Sequence, residues 1–234
     1  MRVPIAAMLC LLVASCQARA QTRPASNPPP SGFVFNDQRI LGLIPNYQAV
    51  SDPNAKVAPL TVKQKWALAA RETFDPFNIA SAGFGAAFSQ SADDVPNYGR
   101  GPAAFAKRFG AAVGDFGSQN FFSAGLFASL LHQDPRYFRR GPRAGILSRV
   151  GYAVSRVVIA RQDSGRTAFN YSGIFGMSLG IAASNLYYPA NSINGSVVAS
   201  RFGTSMMGGA IGNLLSEFWP DLRQRFFHHK HPLG

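Results

Sequence analysis

Beyond residue 16 this chain has no cysteine. Its only two, Cys10 and Cys16, lie at the N-terminus. A disulfide framework and a thiolate metal site are therefore both excluded from the folded part, whose core must rest on packing. Acid is scarce as well: 11 Asp and Glu face 23 Lys and Arg, a formal net charge of +12. Charge of either sign is missing over long stretches. Thr167 to Ser200 carries none across 34 residues and is bracketed by Arg166 and Arg201, and Phe77 to Ser91 is a second uncharged run. Mean hydropathy is nevertheless +0.00, well below that of an integral membrane protein.

The N-terminus reads as an export signal. Arg2 is the only charge before an apolar and small-residue run, Val3 to Ser15, which falls short of the about 20 residues a bilayer crossing needs. Two processing sites are open. Ala18-Arg19-Ala20 is an A-x-A site with cleavage before Gln21; Val13-Ala14-Ser15-Cys16 resembles a bacterial lipobox, with cleavage between residues 15 and 16 and lipid on Cys16. Each lipid methylene buried would contribute about 0.8 kcal/mol of anchoring. Gln17 after that cysteine, by resemblance to bacterial lipoproteins, favours the outer membrane. The expected location is the cell envelope, periplasmic or outer-membrane associated. Removing Arg2 and Arg19 lowers the net charge to +10.

Three segments follow: a signal peptide over 1–20, a Pro-rich extended tether over 21–60 and a helical domain over 61–234. Pro24, Pro28, Pro29, Pro30, Pro45, Pro53 and Pro59 deny the tether regular hydrogen bonding. Phe33, Val34, Phe35, Ile40, Leu41, Leu43 and Ile44 are suited to packing part of it on the domain. Thr61 is an N-cap candidate, with Trp66, Ala69 and Ala70 as a helical stripe. Pro76 and Pro102 open further helices, separated by turn residues Asp93 to Gly99. Ile146, Val150, Val154 and Val157 recur at helical spacing over 144–160. A hairpin competes at its end, where β-branched Val157-Val158-Ile159 precede the turn Asp163-Ser164-Gly165; helix followed by loop is favoured.

The fold class expected is all-α, built of small-residue helical hairpins. Gly176, Gly180 and Ser184 are four apart, which puts nearly bare backbone on one helix face and permits close helix–helix approach or self-association. Gly208 and Gly212 repeat the spacing. Phe169 to Tyr188 has about the length of a bilayer crossing, with Tyr187 and Tyr188 suited to an interface. Arg108-Phe109-Gly110 recurs as Arg201-Phe202-Gly203, and Pro96, Asn120 and Ser123 recur as Pro189, Asn213 and Ser216 at the same offset. This suggests a duplicated four-helix core with repeat units 77–140 and 169–227.

Candidate chemistry lies in three places. Gly176-Met177-Ser178-Leu179-Gly180 fits the G-x-S-x-G nucleophile elbow, with Asp221 and then His228, His229 or His231 in the right order for a serine hydrolase, but no βαβ pattern precedes it. Those terminal histidines lack a neighbouring carboxylate, so no metal and no cofactor is expected. His132-Gln133-Asp134-Pro135-Arg136-Tyr137-Phe138-Arg139-Arg140-Gly141 is the most distinctive stretch. Eight arginines fall between Arg136 and Arg166, against the single acid Asp163. Guanidinium groups bind phosphate bidentately, so His132, Asp134, Arg136, Tyr137, Arg139, Arg140 and Arg143 are candidates for an anionic ligand, with an ion-paired helix terminus as the structural alternative. Export makes lipid headgroups or another envelope component the expected partner, and not nucleic acid. Glu217 to Lys230, with Phe218, Trp219, Phe226 and Phe227 among basic residues, suits a membrane interface.

HQDPRYFRRG, the run Ser148 to Ser172 and EFWPDLRQRFF from Glu217 to Phe227 together resemble a family of exported bacterial proteins. The resemblance covers the chain from about Pro59 onward and implies kinship, with no activity attached. The resulting expectation is a structural or binding protein of the envelope, with the hydrolase built on Ser178 as the alternative.

Overall fold

Thr61 turns an extended entry into helix. Its hydroxyl accepts the Gln64 N–H at 3.3 Å, and the Gln64 side chain accepts the Thr61 N–H at 2.8 Å, a reciprocal cap that starts α1, Val62–Thr73. Asp75 caps α2, Pro76–Ala92, by accepting from Phe77 N–H at 2.9 Å. Left-handed Asp93 ends it. α3, Pro102–Asn120, runs on through a π-helical segment, Phe121–Phe127, into α4, Ala128–Leu130. α5 is Ile146–Ser155, α6 is Tyr171–Ser184 and α7 is Gly195–Phe227, which holds Pro220 in its interior.

These elements come from a computed structural model that describes residues 39–55, 57–93, 95–189 and 195–227, all within one unit, 34–234. The signal peptide, Cys16, the early tether and His228, His229 and His231 lie outside the described residues.

The chain is mostly helical, roughly as an all-α fold, and among the described residues three small sheets tie its loops. β1, Arg39–Ile40, pairs antiparallel with β2, Ile44–Pro45. β3, Ala49–Val50, runs parallel to β5, Tyr137–Phe138. β4, Gln133–Asp134, and β7, Thr167–Phe169, flank β6, Ile159–Gln162. The β6–β7 hairpin corrects the favoured loop at 159–169. Its branched residues and the Gly165 turn, at φ +84°, prevail once helix α5 ends at Ser155.

The described part of residues 39–60 packs on the helical domain. Ile40 and Ala49 are buried, and Tyr47 and Leu60 form the main apolar cluster with Leu68 of α1. Arg39 donates to the Asp75 carboxylate at 2.6 Å, pinning the entry strand to the start of α2.

Elsewhere the interior is made of small side chains, among them Ala69, Ala86, Ala104, Ala111, Ala124, Ala128 and Ala153. α6 packs on α3 and the π-segment. There Gly176 and Gly180 act as the spacing suggests: a Cβ on Gly176 would collide with the backbone of Ser123, and one on Gly180 would sit 2.7 Å from the Gln119 side chain. Gly208 and Gly212 do not; a Cβ on either would meet no packing neighbour within 4 Å. α2 and α3 form a close pair, whereas α6 rests mainly on α3 and the π-segment and far less on α7. The packing thus gives the duplication no support.

α6 is 14 residues long, about 21 Å at 1.5 Å per residue against an apolar bilayer core of about 30 Å. Among the described residues no helix is long and apolar enough to cross a membrane. Tyr187, which is exposed, and half-buried Tyr188 both donate their hydroxyls to Asp115 of α3, at 2.6 and 2.8 Å.

Candidate functional site

His132 to Arg143 threads from the end of α4 through β4 and β5 toward α5 and is held by buried charge. Asp134 accepts from the Arg136 guanidinium on both oxygens, at 2.9 and 2.6 Å, and from its backbone N–H at 3.1 Å. Arg136 also donates to the Ala58 carbonyl at 2.6 Å. Both members of this pair are buried. His132 instead is exposed, in a left-handed conformation.

The second half of the segment closes on α7. Glu217, wholly buried, accepts four hydrogen bonds: from Arg149 Nε at 2.8 Å and Gly141 N–H at 2.9 Å on one oxygen, and from Tyr137 Oη at 2.7 Å and Arg140 N–H at 2.9 Å on the other. One turn later Asp221 pairs with Arg139 and, at 2.6 Å, with Arg149. Pro220 lacks an N–H and loosens the α7 ladder here. The Glu217 carbonyl takes guanidinium donors from Arg139 at 2.7 Å and Arg149 at 2.9 Å. Burial pushes the Glu217 carboxyl up, but its donors outweigh that and hold it below the usual range. Asp221 is lowered likewise, burial opposed by Arg139 and Arg149. Burial and the adjacent Glu217 push the Tyr137 hydroxyl up.

Of the seven anionic-ligand candidates, Asp134, Arg136, Tyr137 and Arg139 are therefore engaged inside the protein. Arg140 and Arg143 are exposed. With Arg223 of α7 they line an open cleft of about 690 Å³ between Ser51–Asn54 and the Pro220 turn, and none of the three is in an ion pair among the described residues. Glu217 and Arg149 were missed as site residues and Asp221 was read only as the acid of a hydrolase, although Glu217 and Asp221 are the only acids after Asp163 and stand four apart. The expected interfacial face near Glu217 is corrected too: Trp219 is buried and Phe218 lies under the Arg149 guanidinium at 4.3 Å, which leaves Phe226 outside.

Ser178 sits at mid-helix in α6, seven residues past its first residue Tyr171, and not at the turn from β7 into the helix. Its flanking glycines serve helix contact, as above, and Asp221 is spent on two arginines. The geometry is not that of a nucleophile elbow.

The least expected surface belongs to α2. It has 17 residues and no formal charge, yet only Ala86 is buried. Phe84 and Phe88, one turn apart, are 76% and 66% exposed, and Phe74 just before the helix is 72% exposed. A surface helix ordinarily carries a charged or strongly polar outer face, whereas one apolar all round is normally covered.

No family model matches the chain, and no curated protein or solved structure is similar to it.

Proposed function

We propose that the chain is an exported binding or structural protein of the cell envelope that docks on anionic lipid surfaces. The observation that carries this reading is α2, an uncharged helix left largely in the open with Phe84 and Phe88 outward. Aromatic rings lower their free energy at a lipid–water boundary, and an exposed apolar patch of this kind marks a surface meant to be covered. The basic excess, still +10 once Arg2 and Arg19 are removed, selects an anionic layer over a neutral one, each basic group near such a surface adding about 1 kcal/mol. Arg140, Arg143 and Arg223 in their cleft are the unpaired cations suited to headgroup phosphates. The N-terminal segment supplies the route to the envelope, and acylated Cys16 would add an anchor. The mass of the mature N-terminus distinguishes that from a start at Gln21.

The test is vesicle flotation of the mature protein. It should float with phosphatidylglycerol-containing vesicles and stay behind with phosphatidylcholine alone. Phe84→Ser combined with Phe88→Ser should cut the bound fraction at least tenfold with an unchanged helical circular dichroism signal. Equal flotation of the variant would overturn the reading. So would a dimer in sedimentation equilibrium that the same variant breaks, since α2 would then belong to a second copy.

A further inference from the structure

A second cavity, of about 200 Å³, lies away from the Arg140 cleft. It is walled by the end of α5, β6, the first turn of α6, the π-segment and α7. Its electrostatics are one-sided. Three guanidinium groups line it, Arg136, Arg156 and Arg161, against one carboxylate, Asp134. That carboxylate is already committed on both oxygens to Arg136. Among the described residues Arg156 and Arg161 have no anionic partner. Each lies over an aromatic face, Arg156 at 4.7 Å from Tyr152 and Arg161 at 4.2 Å from Phe138. The Nε of Arg156 is buried and has no hydrogen-bond acceptor. Leaving such a donor unmet is costly, and a charged one more so.

Two further features favour negative charge in this space. The N-terminal end of α6, a 14-residue helix, borders it at Ser172 and Gly173 and places the positive end of the helix dipole there. The N–H groups of Ser172 and Gly173 are already taken by Gln133 and Asn170, so the helix supplies field and leaves the donors to the arginines. The neighbouring π-helical turn is a backbone irregularity of a kind found often at functional sites.

Size restricts the occupant. The volume is below the about 300 Å³ at which drug-sized ligand sites begin, yet it holds several waters at about 30 Å³ each. We infer that this cavity binds a single phosphate group, inorganic or esterified, gripped by the guanidinium groups of Arg156 and Arg161. Aromatic stacking pre-orients both forks, which limits the side-chain entropy lost on binding. The site is independent of the docking of α2 on lipid.

The test is titration calorimetry of the mature protein with inorganic phosphate in a low-chloride buffer, followed by competition with a short-chain, water-soluble phosphatidic acid. Saturable 1:1 binding is expected. Arg161→Gln should weaken it at least tenfold. Arg161→Lys, which keeps the charge and loses the fork, should also weaken it, and Arg223→Gln in the other cleft should leave it unchanged. Competition by the soluble lipid would assign the phosphate to a headgroup, and its failure to compete would assign it to a free or small-molecule phosphate. Absence of saturable phosphate binding would overturn the inference, as would equal affinity in a folded Arg161→Gln protein.

Discussion

Tyr137 donates to Glu217 at 2.7 Å across 80 positions of sequence. The contact joins the strand β5 to the far end of α7 and places a carboxylate at the centre of a fold whose apolar interior is mostly alanine. Around it the long-range order is set by directed charge: Arg139 and Arg149 reach from 68 to 82 residues away to Glu217 and Asp221.

Removing that carboxylate should therefore be severe. Glu217→Gln keeps the volume and leaves Arg149 buried beside a neutral amide that cannot accept four donors. We expect a loss of about 3–5 kcal/mol, the range for breaking one side of a buried ion pair. Tyr137→Phe, which deletes a single donor, should cost about 1–2 kcal/mol. Urea unfolding followed by circular dichroism measures both. A loss under 1 kcal/mol for Glu217→Gln would mean that α7 is held by something other than this cluster.

How much of this was legible in the sequence depends on whether the signal was local. The Thr61 cap, the proline starts of α2 and α3 and the glycine face of α6 are short-range patterns, and they were readable. The sheets were not, because two-residue strands such as β3 and β5 carry no periodicity and exist only through a partner far along the chain. The arginine-rich segment stood out, with an anionic ligand and an ion-paired terminus both open as its role. Half of its charge is turned inward, and the deciding residues, Glu217 and Asp221, lie on another helix. The duplication rested on scattered identities in a chain rich in glycine and phenylalanine, which composition alone produces. The exposure of α2 could not be read at all: an uncharged helix looks the same whether its neighbours cover it or not.

The two glycine faces make opposite predictions. At Gly176 an added methyl collides with the Ser123 backbone, which cannot move without shifting the π-segment. Gly176→Ala should destabilise by about 1–3 kcal/mol, the range for overpacking. Gly208→Ala meets open space in mid-helix and should stabilise by up to about 1 kcal/mol through helix propensity. Paired thermal melts decide this, and a loss at Gly208 would indicate that the open face is covered in solution.

Acid and base act through different groups. Burial raises the Glu72 carboxyl to about 7, with the nearby charge of Asp75 adding to the rise and Gln48 opposing it. A carboxyl raised on folding favours the folded state while protonated, so its contribution is complete below about pH 4.5 and is lost as pH climbs through 7. Glu72→Gln should flatten that decline and gain on the order of 2–3 kcal/mol at pH 8. Glu217 and Asp221 are lowered, so their contribution is present above the ordinary carboxyl range and disappears as pH falls through their folded values. Stability against pH should therefore peak in mildly acid solution. A wild-type profile flat between pH 5 and 8 would remove Glu72 from the account.

Lys65 offers the sharpest test of the ionic interior. Its side chain is buried in α1, where the ammonium donates to the Ala128 carbonyl at 3.0 Å and to Asp163 at 2.7 Å. Asp163 sits in the β6–β7 turn, 98 residues away, and its backbone N–H bonds the His132 carbonyl at 2.8 Å. One ammonium thus fastens the hairpin to the helical body. Lys65→Met matches the shape but strands a carbonyl and a half-buried carboxylate, at a cost of about 2–4 kcal/mol. Adding Asp163→Asn removes the orphan charge, so the double variant should recover at least 1 kcal/mol relative to Lys65→Met alone. Were the two costs simply additive, Lys65 and Asp163 would not be coupled, and the hairpin would be held by its strand pairing alone.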